Sequence, residues 1–253
     1  MRDAPDWQTL QPALRLNIVS ANLKVSIATD PAQTHAAPSS PTWLAYSTPV
    51  IAFLVLTWLE SQYPGRYISI YFAKVAVVTA ALVAFRSVWK DLRPNARIMA
   101  PAVLVGIAVF AEWVLVEKYV RYPHLETRSG FDPFKSIDDP NVRYLFLSAR
   151  FFGLVAMVPL MEELFWRSFL IRFFTSQEWQ KVPIGTFSLS AFAIVMGGFA
   201  MVHPEWLAAA ICAIAYGILL RQTRSLFGCV IAHATTNLAL GIYVIKTHSW
   251  ALW

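Results

Sequence analysis

YLFLSARFFGLVAMVPLMEELFWRSFLIRFF, residues 144–174, is a long apolar and aromatic run that carries two adjacent glutamates, Glu162 and Glu163. An apolar run of about 18 residues or more reads as a membrane-spanning helix. Working outward, further runs lie at 43–60, 68–85, 99–116, 184–202, 207–220 and 226–244. Composition agrees: 57% of the 253 residues are hydrophobic, 14% are charged and the mean hydropathy is +0.50. A soluble domain carries about 25% charged residues. Only helices and closed barrels satisfy every backbone group in hydrocarbon, and these runs lack the alternation of barrel strands. The expected fold class is therefore all-α: a polytopic transmembrane helical bundle of about seven helices, within a range of six to eight.

The net charge of +6 and pI near 9.4 do not point to nucleic acid. No stripe of interleaved basic and aromatic residues of the kind that binds strands is present. Basic residues instead collect in short loops, as they do on the cytoplasmic side of membrane proteins. Arg86, Lys90, Arg93 and Arg97 follow the second run; Arg221 and Arg224 precede the last. A seven-helix count puts both groups and the N-terminus in the cytoplasm, although the 118–143 connection opposite also holds five basic residues. Cys212 and Cys229 match no metal or disulfide spacing and read as small packing residues.

Residues 1–42 are rich in Ala, Pro, Ser and Thr, lack a signal-peptide core and read as a polar, poorly ordered N-terminal tail. The 118–143 connection, with GFDPFKSIDDP, is long enough to act as a lid. THSWALW, at the C-terminus, suits a membrane interface.

Ionisable residues inside spanning helices are functional hypotheses by default. In the C-terminal half they gather in three places. Glu163 and Arg167 are four apart, on one helical face and able to pair, while Glu162 points about 100° away. His203 follows Phe199 by four residues and precedes Pro204. His233 and Asn237 stack on one face of the last run, where they could ligate a metal, bond a neighbouring helix or hold an oxyanion. Each has a plain structural reading: carboxylates paired with arginines, a histidine capping a helix end, an interhelical hydrogen bond. Together, however, they bring Glu, His, His and Asn from three helices to one possible site.

In this order the motifs resemble those of the CPBP family, the CAAX proteases and bacteriocin-processing enzymes, which includes the Rce1-like endopeptidases. EELFWR (Glu162 to Arg167), FAMVH (Phe199 to His203) and HATTN (His233 to Asn237) match its three motifs without departure. FWRSFL, MVHPEW, AYGILL and HATTNLALGIYV are also similar to CAAX-protease-related proteins that accompany exosortase and PEP-CTERM sorting systems. The resemblance implies a catalytic core over 144–246, preceded by helices and a loop over 43–143 and followed by an interfacial tail over 247–253. It implies a multi-pass protein of a bacterial inner membrane that hydrolyses a peptide bond in a membrane peptide or protein. Implied partners are the lipid bilayer, that substrate and exosortase-system components, with no nucleic acid.

Within that resemblance Glu162 is the general base toward water, and His203 holds the water. His233 and Asn237 donate to the developing oxyanion, and Glu163 with Arg167 fixes the first glutamate. Cofactors are either none or Zn2+, the latter with His203, His233 and Glu162 as ligands and water in the open position. The HExxH helix of familiar zinc peptidases is missing. Two other classes stay open: a transporter, which would place broken helices in both halves, and a non-catalytic scaffold, which would lack a motif residue. One tension is spatial. If 184–202 spans the membrane, His203 and His233 lie near opposite faces, so a shared site requires the His203–Pro204 turn to be sunk in the bilayer.

Overall fold

The computed structural model describes residues 42–126 and 130–252. The tail expected over 1–42 lies outside them apart from Thr42. The described residues contain helices and connections, and no strand. We number the helices α1 (Thr42–Gln62), α2 (Tyr67–Ala84), α3 (Met99–Tyr119), α4 (Pro133–Ser136), α5 (Pro140–Thr175), α6 (Leu189–Met201), α7 (Trp206–Thr223) and α8 (Leu226–Thr247).

Six of these are long and apolar enough to cross a membrane: α1, α2, α3, α5, α7 and α8. The polytopic helical bundle expected from hydropathy is thus present. The run expected over 184–202 behaves differently. Its helix begins only at Leu189, because Gly185 turns the chain at φ 78° and Ser188 caps the helix by accepting from Ala191 N. The 13-residue α6 rises about 20 Å, short of the roughly 30 Å hydrocarbon core. Starting beside the α7–α8 turn, where Gly185 packs on Leu220 O and Arg224, α6 ends partway through the bundle. A helix of that length fits the sunken His203 turn that a shared site requires.

Caps set the other boundaries. Asp139 accepts from Asn141 N and Val142 N ahead of Pro140, so α5 starts four residues before the run at 144. Ser225 accepts from Gly228 N and starts α8. α3 and α8 run parallel. Gly228 meets Ile98, Gly106 meets Ala232 and Thr235, and Thr236 Oγ1 donates to Gly106 O at 2.8 Å. A Cβ at Gly106 would lie 2.4 Å from Ala232 O, so only glycine allows this approach. Outward faces carry large apolar side chains, such as Leu104 at 68% exposed and Ile51 at 53%, as a bilayer solvent demands. Cys212 and Cys229 are buried, and Cys229 Sγ lies 3.6 Å from Tyr216 O. Trp250 is buried against Phe134, Val244 and Phe151.

Candidate active site

The site is built on an irregular helix. Within α5 the stretches Gly153–Met157 and Glu163–Leu170 are π-helical. Such widened turns are rare and recur at functional sites. The first leaves a carbonyl without a helical partner: Val158 N–H bonds Gly153 O, and Pro159, next in line for Leu154 O, has no N–H. Asn237 Nδ2 fills that vacancy, donating to Leu154 O at 2.9 Å. One of its two amide hydrogens is thereby committed to the scaffold.

The second π-helical stretch carries the charges. Glu163 is fully buried, and its Oε1 accepts from Arg167 Nη1 at 3.2 Å and from His233 Nδ1 at 2.9 Å. The expected Glu163–Arg167 pair therefore forms, and it recruits His233 from α8. A carboxylate that already accepts from a guanidinium takes Nδ1–H from the imidazole, so the neutral ring carries its lone pair on Nε2. No hydrogen bond reaches Nε2 among the described residues.

Glu162 stands beside this lock. It is half-buried and lies within electrostatic reach of His233, Arg167 and Glu163, while its Oε2 is buried without a hydrogen-bond partner. A buried unpartnered carboxylate oxygen is costly, and Glu163 Oε2 next to it is another.

His203 joins through Phe199. Its Nδ1 donates to Phe199 O at 2.7 Å and its ring lies 4.5 Å from that of Phe199. The Arg167 guanidinium sits 4.4 Å over the other end of this contact, the Phe199 ring. The turn after His203 is covered by the start of the long connection. Leu125 N donates to Pro204 O at 3.2 Å, and Trp206 Nε1 donates to Pro123 O at 2.8 Å. Tyr122 Oη donates to Glu117, pinning the strap from α3. Part of the 118–143 connection thus roofs the His203 turn.

Among the described residues no group of three His, Cys, Asp or Glu side chains has metal-binding spacing. His203, His233 and Glu162 do not form such a group as they are placed.

Several residues of this region were not singled out by sequence. The Tyr216 ring packs beside His233 at 5.6 Å and beneath Arg167 at 5.5 Å, and its Oη donates to Thr236 Oγ1 at 2.7 Å. A tyrosine in an apolar run gives no sequence signal. Glu112 gave one: it is a carboxylate inside the 99–116 run, on the inward stripe of Val105 and Val109. Both its oxygens are buried without hydrogen-bond partners. Asp91 and Arg172 form a further buried ion pair at 2.7 Å below the site.

Residues 144–239 match the model of the type II CAAX prenyl endopeptidases, Rce1-like. The match spans Glu162, Glu163, Arg167, His203, His233 and Asn237, so this segment is similar to that protease family. No curated protein and no solved structure matches the chain.

Proposed function

We propose that this protein is an intramembrane endopeptidase of the Rce1-like kind that hydrolyses a peptide bond with water activated by Glu162. The observation that carries the reading is the pair of unlike carboxylates. Glu163 engages Arg167 and His233 through Oε1 and leaves only Oε2 unpartnered, while Glu162 beside it makes no hydrogen bond among the described residues. The family match over 144–239 supports the reaction class.

In the proposed reaction Glu162 takes one proton from water as the water oxygen bonds to the substrate carbonyl carbon. His203, anchored through Nδ1 to Phe199 O, supports that water through Nε2. The carbonyl oxygen becomes negative and is met by the second amide hydrogen of Asn237. It is also met by Nε2 of His233 in the imidazolium form, in which both ring nitrogens donate. Collapse breaks the C–N bond, and the proton held by Glu162 goes to the leaving amine. Glu163 and Arg167 fix the His233 ring, as an orienting carboxylate does in other hydrolases.

The test is cleavage by the purified full-length protein in detergent and in liposomes, wild type beside Glu162→Gln, with and without a chelator. Substrates are prenylated CAAX peptides and hydrophobic sorting-tail fragments. Cleavage falling by about 10²–10⁴-fold in the variant and resisting chelation is the expected result. Loss on chelation with recovery on adding zinc would replace this mechanism by a metal-dependent one. A wild type that cleaves neither class would overturn the protease reading in favour of a scaffold.

A further inference from the structure

The connection between α2 and α3 has two chemically different sides. Inward, Val88 is buried in the cluster that holds Leu82, Met161 and Leu226, so the loop is seated on the bundle. Beside it Asp91 Oδ2 accepts from three donors on two helices: Tyr46 Oη at 2.7 Å, Ser168 Oγ at 2.5 Å and Arg172 Nη2 at 2.7 Å. The guanidinium also donates to both hydroxyls, to Ser168 Oγ at 2.6 Å and Tyr46 Oη at 3.3 Å. Both hydroxyls give their protons to Asp91, while Arg172 Nη2 divides its two hydrogens among Asp91, Ser168 Oγ and, at the longest distance, Tyr46 Oη. Ser168 is fully buried within the Glu163–Leu170 turn, next to Arg167.

Outward, the same loop presents Arg86, Lys90, Arg93 and Arg97, all exposed, with Trp89 36% exposed among them. None of the four has an acidic partner among the described residues. The loop joins two membrane spans and is held to the end of the bundle, so these cations lie at headgroup level. Anionic headgroups attract each nearby Lys or Arg, with a reach of about a Debye length.

We propose that the 86–97 loop binds anionic phospholipid headgroups through Arg86, Lys90, Arg93 and Arg97, and that Asp91 on its inner side braces the Glu163–Leu170 turn. Seating and brace are one event. Arg172 is buried, and Asp91 is the carboxylate that compensates it, so a loop lifted from the bundle strands a buried charge beside the catalytic segment. Lipid that holds the loop down holds Asp91 against Ser168 and Arg172. Asp91 is thus a positioning residue that acts through Ser168. The inference rests on the endopeptidase reading for the meaning of the site, but not for its measurement.

The experiment is amide hydrogen exchange over residues 163–172 of the full-length protein in nanodiscs, made of phosphatidylcholine alone or with phosphatidylglycerol. Phosphatidylglycerol is expected to slow exchange about fivefold, the effect of roughly one surface cation's attraction, and high salt to remove the slowing. Replacing Arg86, Lys90, Arg93 and Arg97 together by Gln should abolish the response to lipid. Asp91→Asn should exchange fast in both lipids, and Asp91→Glu should recover protection. Equal exchange of the wild type in both lipids would overturn the proposal, as would a lipid response that survives the four Gln substitutions. Wild-type protection in Asp91→Asn would overturn the brace. If Asp91→Asn does not fold, the four exposed Gln substitutions carry the decision. A wild type that cleaves no peptide yet shows lipid-dependent protection would sink the protease reading and leave the brace standing. Cleavage without lipid-dependent protection would do the reverse.

Discussion

Two buried ion pairs of this protein differ in how their valences are used. Between α1 and α2, Lys74 Nζ meets Glu60 Oε2 at 2.5 Å and Thr57 Oγ1 at 3.2 Å, with the rings of Phe53 and Tyr71 each 4.9 Å from the ammonium. It joins two neighbouring helices. In α5, Glu163 and Arg167 pair within one helix and then reach outward, to His233 on α8 and to the rings of Phe199 and Tyr216. The first pair stays between its two helices, with Glu60 Oε1 buried and unpartnered. The second aims an imidazole and stands next to a carboxylate with an open valence. Buried charge alone therefore does not mark a site; what the charge orients does.

The strongest way to break this contrast is to remove one cation from each pair. Arg167→Met leaves Glu163 buried without its guanidinium and should lower stability by about 3–5 kcal/mol. Lys74→Met should cost a similar amount by stranding Glu60. Thermal unfolding in detergent would read both. Activity separates them: folded Lys74→Met protein is expected to retain cleavage, and folded Arg167→Met protein to lose it, because only the latter removes the cation that holds the Glu163 carboxylate on which His233 is seated. Equal activity losses would mean that the two pairs share one role.

A smaller effect tests the scaffold around the site. Asn237→Leu leaves the Leu154 carbonyl without a donor and should destabilise by about 1–3 kcal/mol. If Asn237 only mended the π-helical turn, stability and cleavage would fall together. If it also meets the oxyanion, cleavage per folded molecule should drop further, with kcat affected more than KM. Asn237→Asp, which keeps an acceptor but no donor, should behave like Leu in both respects.

How much of this was legible in sequence follows from the range of each interaction. Hydropathy found the spans because a bilayer imposes length and composition locally, and spacing found the Glu163–Arg167 pair because four residues are neighbours on any helix. Glu163 meeting His233, and not only Arg167, depends on how α8 lies against α5, seventy positions away in the chain. The π-helical turns were invisible because a 3.6-residue period was assumed, yet they decide where Leu154 O and Arg167 fall. Asp91 was hidden for a different reason. It looked like one acid in a basic loop, and its partners at Tyr46, Ser168 and Arg172 lie 45, 77 and 81 residues away. The 184–202 run does not form a full span because apolar composition continues through Gly185 and Ser188, where the backbone turns and caps instead.

The finest test of the comparison is to delete each pair whole. In Glu60→Leu/Lys74→Leu the two charges leave together, so no group is stranded. The surroundings are the apolar and aromatic side chains Phe53 and Tyr71, which accept leucine readily. Such replacements of buried pairs are often neutral, or stabilising by about 1–4 kcal/mol. Unfolding of this variant should therefore match the wild type or exceed it, and cleavage should persist. Glu163→Leu/Arg167→Leu removes as much charge, but it leaves His233 Nδ1 facing hydrocarbon and Glu162 without the cation nearest to it in the chain. Its stability should fall by about 1–3 kcal/mol for the stranded Nδ1, while cleavage is lost outright. A site pair is distinguished by that asymmetry: a modest loss in the energy of the fold, total loss in the aim of the imidazole. An active Glu163→Leu/Arg167→Leu protein would show that His233 is held by something other than Glu163, and the lock would have to be withdrawn from the mechanism.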